Sequence, residues 1–135
     1  MVEIALLLTA LLFGGMVLYS FGFAAFVFTV LPAETAGPLI RKAFPHFYLI
    51  GFASSVLGGL ISAFVDPPSA LVLAAVAVTT VFARQVLMPA INQATDTKKS
   101  SRFKLLHSFS VVITLCHIVG SAVVLLRLAS ATQVS

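Results

Sequence analysis

Charge is missing from long stretches of this chain. No Asp, Glu, Lys or Arg occurs between Glu3 and Glu34, and residues 43–65 and 105–126 are equally free of charge. A fourth apolar run, residues 67–91, is interrupted only by Arg84. A water-soluble domain needs charge over its whole surface, whereas each ionised group in hydrocarbon costs several kcal/mol. The distribution therefore predicts an integral membrane protein.

Composition supports a single domain, residues 1–135, whose main partner is the lipid bilayer. The chain is 60% apolar and only 9% charged, compared with roughly a quarter charged in globular proteins. Its net charge of +4 is concentrated in two short segments. Nucleic-acid binding needs a basic stripe interleaved with aromatic residues, so we expect no nucleic-acid partner.

Four apolar segments are long enough to span a membrane, which needs about 20 residues per helix. They are residues 4–31, 44–65, 70–92 and 103–128. The fold class predicted is therefore all-α, an integral membrane four-helix bundle. Pro67 and Pro68 predict a tight turn between the second and third spans, because proline cannot continue a helix. In the first connection, Pro38 is expected to begin a short interfacial helix.

The basic residues predict how the bundle is oriented. Loops rich in Lys and Arg stay on the cytoplasmic side, and only Arg127 lies near an outer end. The pattern predicts an up-down-up-down bundle with both termini on the non-cytoplasmic side, in a multi-pass protein of the bacterial inner membrane. The residues expected to contact lipid headgroups are Arg41, Lys42, Lys98, Lys99, Arg102 and Lys104.

Arg84 is the most costly residue in the predicted spans. It lies eight residues before Asn92, or about 12 Å along the helix axis. One interpretation is that its side chain snorkels toward the headgroups. The other is that it anchors an anion or polar groups of another helix. Pro89 removes a backbone hydrogen bond and is expected to bend this helix.

The fourth span carries polar residues on one face, which is expected to point into the bundle. For each of its histidines, an interhelical hydrogen bond is favoured over a functional role. His107 and His117 lie too far apart to share a metal ion. His46 is the one candidate to pair with His107 around haem or copper, and we expect no metal and no cofactor. The members of this polar stripe are His107, Ser110, Thr114, His117 and Ser121.

The second span has small residues at four-residue spacing. In lipid, helices associate through close packing of such residues, so this pattern predicts a packing seam. The two small-residue rows are Gly51, Ser55, Gly59 and Ala63, and beside it Ser54, Gly58 and Ser62.

Several ordered motifs resemble a known family. These are residues 26–32 (FVFTVLP), 36–37 (AG), 44–49 (FPHFYL), Arg84, residues 88–92 (MPAIN), Asp96, Phe103, and residues 106–107 (LH) with Ser110. Together they are similar to the transmembrane-protein-205-like domain of unknown function. The resemblance implies a four-helix membrane domain without an established activity, and it directs attention to the cytoplasmic end of the bundle.

The function predicted is that of a non-enzymatic accessory or structural membrane bundle. A polar cluster at its cytoplasmic end would fix helix register, and a membrane protein partner or a homo-oligomer is expected. The alternative is a transport or ligand-binding protein in which Arg84 and His107 contact an anion or a lipid headgroup. The candidate cluster comprises Arg84, Asn92, Asp96, His107, Ser110 and Tyr48.

Overall fold

The computed structural model describes residues 1–134, with side chains described through Gln133, and this part of the chain contains helices and no strand. Two helices contain a π-helical segment, in which the backbone bonds run from residue i to i+5. The elements in order are α1 (Val2–Val17), a first π segment (Leu18–Phe23), α2 (Ala24–Val30), α3 (Ala33–Ser62), α4 (Pro67–Phe82), a second π segment (Ala83–Leu87), α5 (Met88–Asp96) and α6 (Ser100–Val134).

Four continuous helices are long and apolar enough to cross a membrane, as the sequence predicts. We call them span 1 to span 4. Large apolar side chains lie exposed along them, among them Leu7, Leu18 and Leu71, which are 70–74% exposed. Such a surface suits hydrocarbon as the solvent. The spans are Val2–Val30, Ala33–Ser62, Pro67–Asp96 and Ser100–Gln133.

Span 2 begins much earlier than its apolar run. The sequence predicts a membrane segment from residue 44 and a separate interfacial helix after Pro38, but α3 is one helix from Ala33 that contains both Pro38 and Pro45. The prediction of a separate interfacial helix is therefore wrong. The physical reason is tertiary packing: Ala36 and Ile40 in the first turns of α3 are buried against α2.

Contacts between the spans define two ends of the bundle. Span 1 packs against spans 2 and 4, and span 3 packs against the same two spans. Arg41 lies 3.0 Å from Asp96, so the first and third connections lie at one end, which we call the basic end. Asp66 lies 2.8 Å from Arg127, which places the second connection beside the last part of α6 at the opposite end.

The main apolar core lies between spans 1, 3 and 4 in the half of the bundle away from the basic end. It includes Leu12, Leu73, Val124 and Leu128, none more than 3% exposed. A smaller cluster of Val27, Ala36 and Ile40 joins α2 to α3 at the basic end. Between the two clusters, aromatic side chains fill the contact between spans 1 and 2.

The predicted seam on span 2 is confirmed in part, since Ala63 is exposed and lies beyond the end of α3. Ser54, Ser55, Gly58 and Ser62 are buried. A Cβ atom added at Gly58 would lie 3.4 Å from Leu73 Cδ1 and one at Gly59 would lie 3.4 Å from Leu73 Cβ. The absence of side chains at these glycines lets spans 2 and 3 approach closely.

Candidate functional site

Arg84 is anchored to a neighbouring helix. Its Nε donates a hydrogen bond to the carbonyl oxygen of Pro45 in span 2, at 3.2 Å. Its Nη1 donates to Oε1 of Gln85, at 3.1 Å. Of the two interpretations that the sequence left open, these bonds favour the anchor, since the guanidinium is bonded to the backbone of span 2. Arg84 lies in the second π segment, which ends directly before Met88 and Pro89.

Arg41 is hydrogen-bonded to both Asn92 and Asp96. Arg41 donates from Nη2 to Oδ1 of Asp96 at 3.0 Å and from Nη1 to Oδ2 at 3.4 Å. Its Nη2 also donates to the carbonyl oxygen of Asn92, at 3.4 Å. The predicted grouping of Asn92 and Asp96 with Arg84 is therefore not formed. Asp96 lies twelve residues beyond Arg84, about 18 Å along the axis, and the nearer cation comes from span 2.

Tyr48 of span 2 lies near Ser110 of span 4. The Tyr48 ring also packs against Phe44 and Phe47 of its own helix, with centroid distances of 5.7 and 6.1 Å. The structure therefore places these two predicted site residues near each other.

The two histidines of span 4 have different surroundings. His117 is buried, and its Nε2 is hydrogen-bonded to the Thr79 hydroxyl of span 3. The predicted interhelical hydrogen bond is thereby confirmed for His117. His107 is exposed and its ring stacks on Phe103 of the same helix, at 5.5 Å. His107 therefore does not lie on the buried stripe and is not opposed to Arg84 by any contact described.

Metal ligands do not cluster in the described part of the chain. No group of three or more His, Cys, Asp or Glu residues is close enough there to hold an ion. His46 and His107, the weak candidates for haem or copper, are both exposed. The prediction that the protein works without a cofactor stays a prediction.

The remaining basic residues at the basic end are exposed. Lys98 adopts a left-handed backbone conformation, with φ 56°, where the chain turns between α5 and α6. The contact of these basic residues with lipid headgroups stays a prediction. The exposed residues of this group are Lys42, Lys98, Lys99, Arg102 and Lys104.

An ion pair at the opposite end was not predicted. Arg127 donates from Nε to Oδ2 of Asp66 at 2.8 Å and from Nη2 to Oδ1 at 3.0 Å, and the Ser69 hydroxyl also donates to this carboxylate. The bonds from Arg127, and then that from Ser69, lower the pKa of Asp66 to about 2. The signal was present: Arg127 is the one base expected at that end, and Glu3 and Asp66 were the two acids available to it.

An aromatic cluster at the first π segment was also missed. The Tyr19 ring stacks on Phe47 at 4.1 Å and on Phe23 at 5.2 Å, and it meets the edge of Phe44 at 5.1 Å. The Tyr19 hydroxyl is buried and has no hydrogen-bond partner among the described residues. The sequence shows many phenylalanines in this region, but it does not show which of them meet.

A family model, described as a domain of unknown function (DUF4149), matches residues 7–100. The chain belongs to this family. The matched part of this DUF4149 chain includes Arg41, Arg84 and Asp96 and ends before His107 and Ser110. The match supports membership of a family of unknown function, but it does not support the name transmembrane-protein-205-like, and that resemblance stays a prediction. No curated protein and no solved structure matches the chain.

Proposed function

We propose that this chain is a non-enzymatic accessory or structural protein of a membrane, in which four spans are held in register by polar contacts. The observation that carries this proposal is the anchoring of Arg84 to the backbone of span 2. An arginine kept free for a ligand would present its donors to a cavity, whereas this one uses two of its nitrogens within the protein.

Other polar contacts support the same function. Arg41 joins span 2 to Asp96 of span 3, and His117 joins span 4 to Thr79 of span 3. In hydrocarbon, a contact such as that between His117 and Thr79 stabilises a helix pair by about 0.6 to 2 kcal/mol. A bundle held by these side-chain contacts has a defined helix register, which suits a structural partner for other membrane components.

The proposed topology is up-down-up-down, with both termini on the non-cytoplasmic side of a bacterial inner membrane. It is supported by the basic residues at the basic end, because positively charged loops remain in the cytoplasm. Single cysteines at the exposed positions Thr97 and Pro68, each in a Cys116→Ala background, test it with a membrane-impermeant thiol reagent. We expect labelling of intact cells at position 68 and labelling at position 97 only after lysis. The reverse pattern would refute the orientation.

The proposed partners are the lipid bilayer and either a second membrane protein or a second copy of the chain. The exposed apolar surface of all four spans supports contact with lipid. Cross-linking in native membranes followed by purification tests for a protein partner. We expect one adduct of constant stoichiometry, and a monomer after efficient cross-linking would contradict a stable partner.

Arg84→Leu tests the structural function directly. If Arg84 joins spans 2 and 3, this variant loses hydrogen bonds from a charged donor, worth about 1.5 to 3 kcal/mol, and should unfold at lower temperature. Arg102→Leu, at an exposed position in α6, is the matched control and should change stability little. If Arg84→Leu instead kept full stability but lost stabilisation by anionic lipid, the ligand-binding alternative would replace this proposal.

A further inference from the structure

The two halves of the bundle are packed differently. In the half away from the basic end, which we call the outer half, α1 and α4 each pack on both α3 and α6. Toward the basic end, α2 packs on α3, and the second π segment and α5 pack on α6, but no comparable packing joins α2 to α6 or α3 to α5. This basic half therefore consists of two helical hairpins, residues 18–48 and residues 83–110, which we call hairpin A and hairpin B.

Apolar contacts in the basic half stay within the hairpins. The buried cluster of Val27, Ala36 and Ile40 belongs to hairpin A and includes no residue of spans 3 or 4. The described ring contacts also join span 1 to span 2, or span 3 to span 4, or residues of one span. In α6 the first buried residue is His117, and residues 100–116 contain none. Little apolar surface therefore holds hairpin A against hairpin B.

The hydrogen bonds between the hairpins come from two arginines. Arg41 of hairpin A donates to Asp96 of hairpin B at 3.0 Å, and Arg84 of hairpin B donates to the Pro45 carbonyl of hairpin A at 3.2 Å. Arg41 lies four residues nearer to the basic end than Pro45, about 6 Å along the axis. The bond from Arg41 therefore closes the mouth between the hairpins, and the bond from Arg84 lies deeper.

Hairpin A joins the outer half at two points where helices bend. It begins with the first π segment, Leu18–Phe23, and Pro45 lies near its other end, inside α3. Helices bend at π segments and at prolines, which lack the N–H group for one backbone bond. The two points lie at one level, because Tyr19 stacks on Phe47. By contrast, α6 runs from Ser100 to Val134 as one α-helix, which keeps hairpin B aligned with the outer half.

We propose that hairpin A swings as a unit away from hairpin B, pivoting at the first π segment and Pro45, and that the contact between Arg41 and Asp96 is the latch that closes it. The bond from Arg84 to the Pro45 carbonyl holds the pivot in place, since rotation about Pro45 does not lengthen it. Opening changes the surface at the basic end, so the latch regulates contact with a membrane partner. This mechanism rests on the proposed function, to which it adds a form of regulation.

The latch is accessible to solvent. The side chains of Arg41 and Asp96 are 39% and 62% exposed, and an ion pair this exposed shifts an equilibrium by at most about fivefold. The additional bond from Arg41 to the Asn92 carbonyl is longer, at 3.4 Å. Because salt screens exposed charges, ionic strength at the basic end should control the balance between the closed and the open form.

Two pairs of nitroxide labels on the same two helices measure this motion. Cysteines that replace Leu39 of α3 and Leu105 of α6 report on the basic half, and cysteines that replace Leu60 and Leu126 of the same helices report on the outer half. The four leucines are 41–71% exposed, so labels there should disturb the packing little. The full chain, in a Cys116→Ala background, is measured in lipid nanodiscs by double electron–electron resonance.

We expect one outer-half distance, and a basic-half distance with a main component and a minor, longer one. Asp96→Asn should raise the ratio of the longer to the shorter component by up to about fivefold. Arg41→Gln should raise it at least as much, because it also removes the bond to Asn92. About 1 M NaCl should produce the increase in the wild type but add nothing in Asp96→Asn. Glu34→Gln is the matched control: Glu34 is an exposed acid near the same end, forms no ion pair among the described residues, and should leave the ratio unchanged.

Several results would overturn the proposal. One is an identical basic-half distance in the wild type, Asp96→Asn and Arg41→Gln, and another is an equal effect of Glu34→Gln. Broadening of the outer-half distance together with the basic-half distance would show that the whole bundle loosens, which also contradicts a pivot. Carbonate washing of vesicles separates this proposal from the proposed function: release of the wild type refutes membrane insertion, whereas retention combined with any of these results refutes the hinged hairpin alone.

Discussion

Gly59→Leu should separate spans 2 and 3. A Cβ at this position would lie 3.4 Å from Leu73 Cβ, 3.8 Å from the carbonyl oxygen of Ala70 and 3.9 Å from the amide nitrogen of Ala74. The first carbon therefore fits, but the next three carbons of a leucine need space that the backbone of α4 occupies. Because backbone atoms cannot rotate away as a side chain can, α4 must shift. Overpacking of this kind costs about 1 to 3 kcal/mol.

A size series makes the measurement specific. Gly59→Ala adds only the Cβ, at ordinary contact distances, and gains up to about 1 kcal/mol of helix propensity, so its stability should equal or exceed that of the wild type. Gly14→Leu, where nothing lies within 4 Å of an added Cβ, should change stability by less than about 0.5 kcal/mol. Reversible unfolding in bicelles by steric trapping gives the free energies. Wild-type stability in Gly59→Leu would refute the close approach of the two spans.

Three further predictions concern polar groups. Ser62→Ala should raise stability by about 1 kcal/mol in the same assay, because the buried Ser62 hydroxyl has no hydrogen-bond partner in the described structure and removing it leaves no group unsatisfied. The pKa of Asp66 is lowered from 3.8 to about 2 by Arg127 and then by Ser69; this stabilisation is complete above pH 4 and is lost as the pH falls toward 2, so acid titration of thermal stability should lose this step in Asp66→Asn. A double-mutant cycle on Arg41 and Asp96, which are 39% and 62% exposed, should give a coupling below about 1 kcal/mol that falls with salt, and a larger coupling independent of salt would contradict solvent exposure.

Much of the fold follows from the sequence because hydrocarbon imposes few solutions. Charge-free runs of sufficient length predict helices, since a backbone in lipid must satisfy its own hydrogen bonds. The small residues around Gly58 predicted the seam for the same reason. The start of span 2 was mispredicted because Arg41 and Lys42 precede the charge-free run and Pro38 resembles the start of a separate helix. Within a bundle, neighbouring elements tolerate such prolines, and here Ala36 and Ile40 pack against α2.

The candidate site was predicted less well, because helical periodicity gives depth along one helix but does not identify the residue across from it. Depth alone separates Arg84 from Asp96 by about 18 Å along span 3, but it does not show which cation of another span lies beside Asp96. The contacts assign Asp96 to Arg41 and leave Arg84 with the carbonyl of Pro45. His117 was predicted correctly, because a histidine deep in an apolar helix needs a partner from another helix.

The π segments explain why Tyr19 and Arg84 were hardest to place. A turn closed by i to i+5 bonds departs from the 100° step on which helical projections depend, and Tyr19 and Arg84 lie inside the two π segments. Both segments are followed by a helix that ends at the basic end, and both place a polar side chain in contact with span 2. The wide turns therefore bring the hydroxyl and the guanidinium to positions that no α-helical projection of the sequence predicts. For this reason, the polar chemistry of the basic end depends on local backbone geometry as much as on which residues are present.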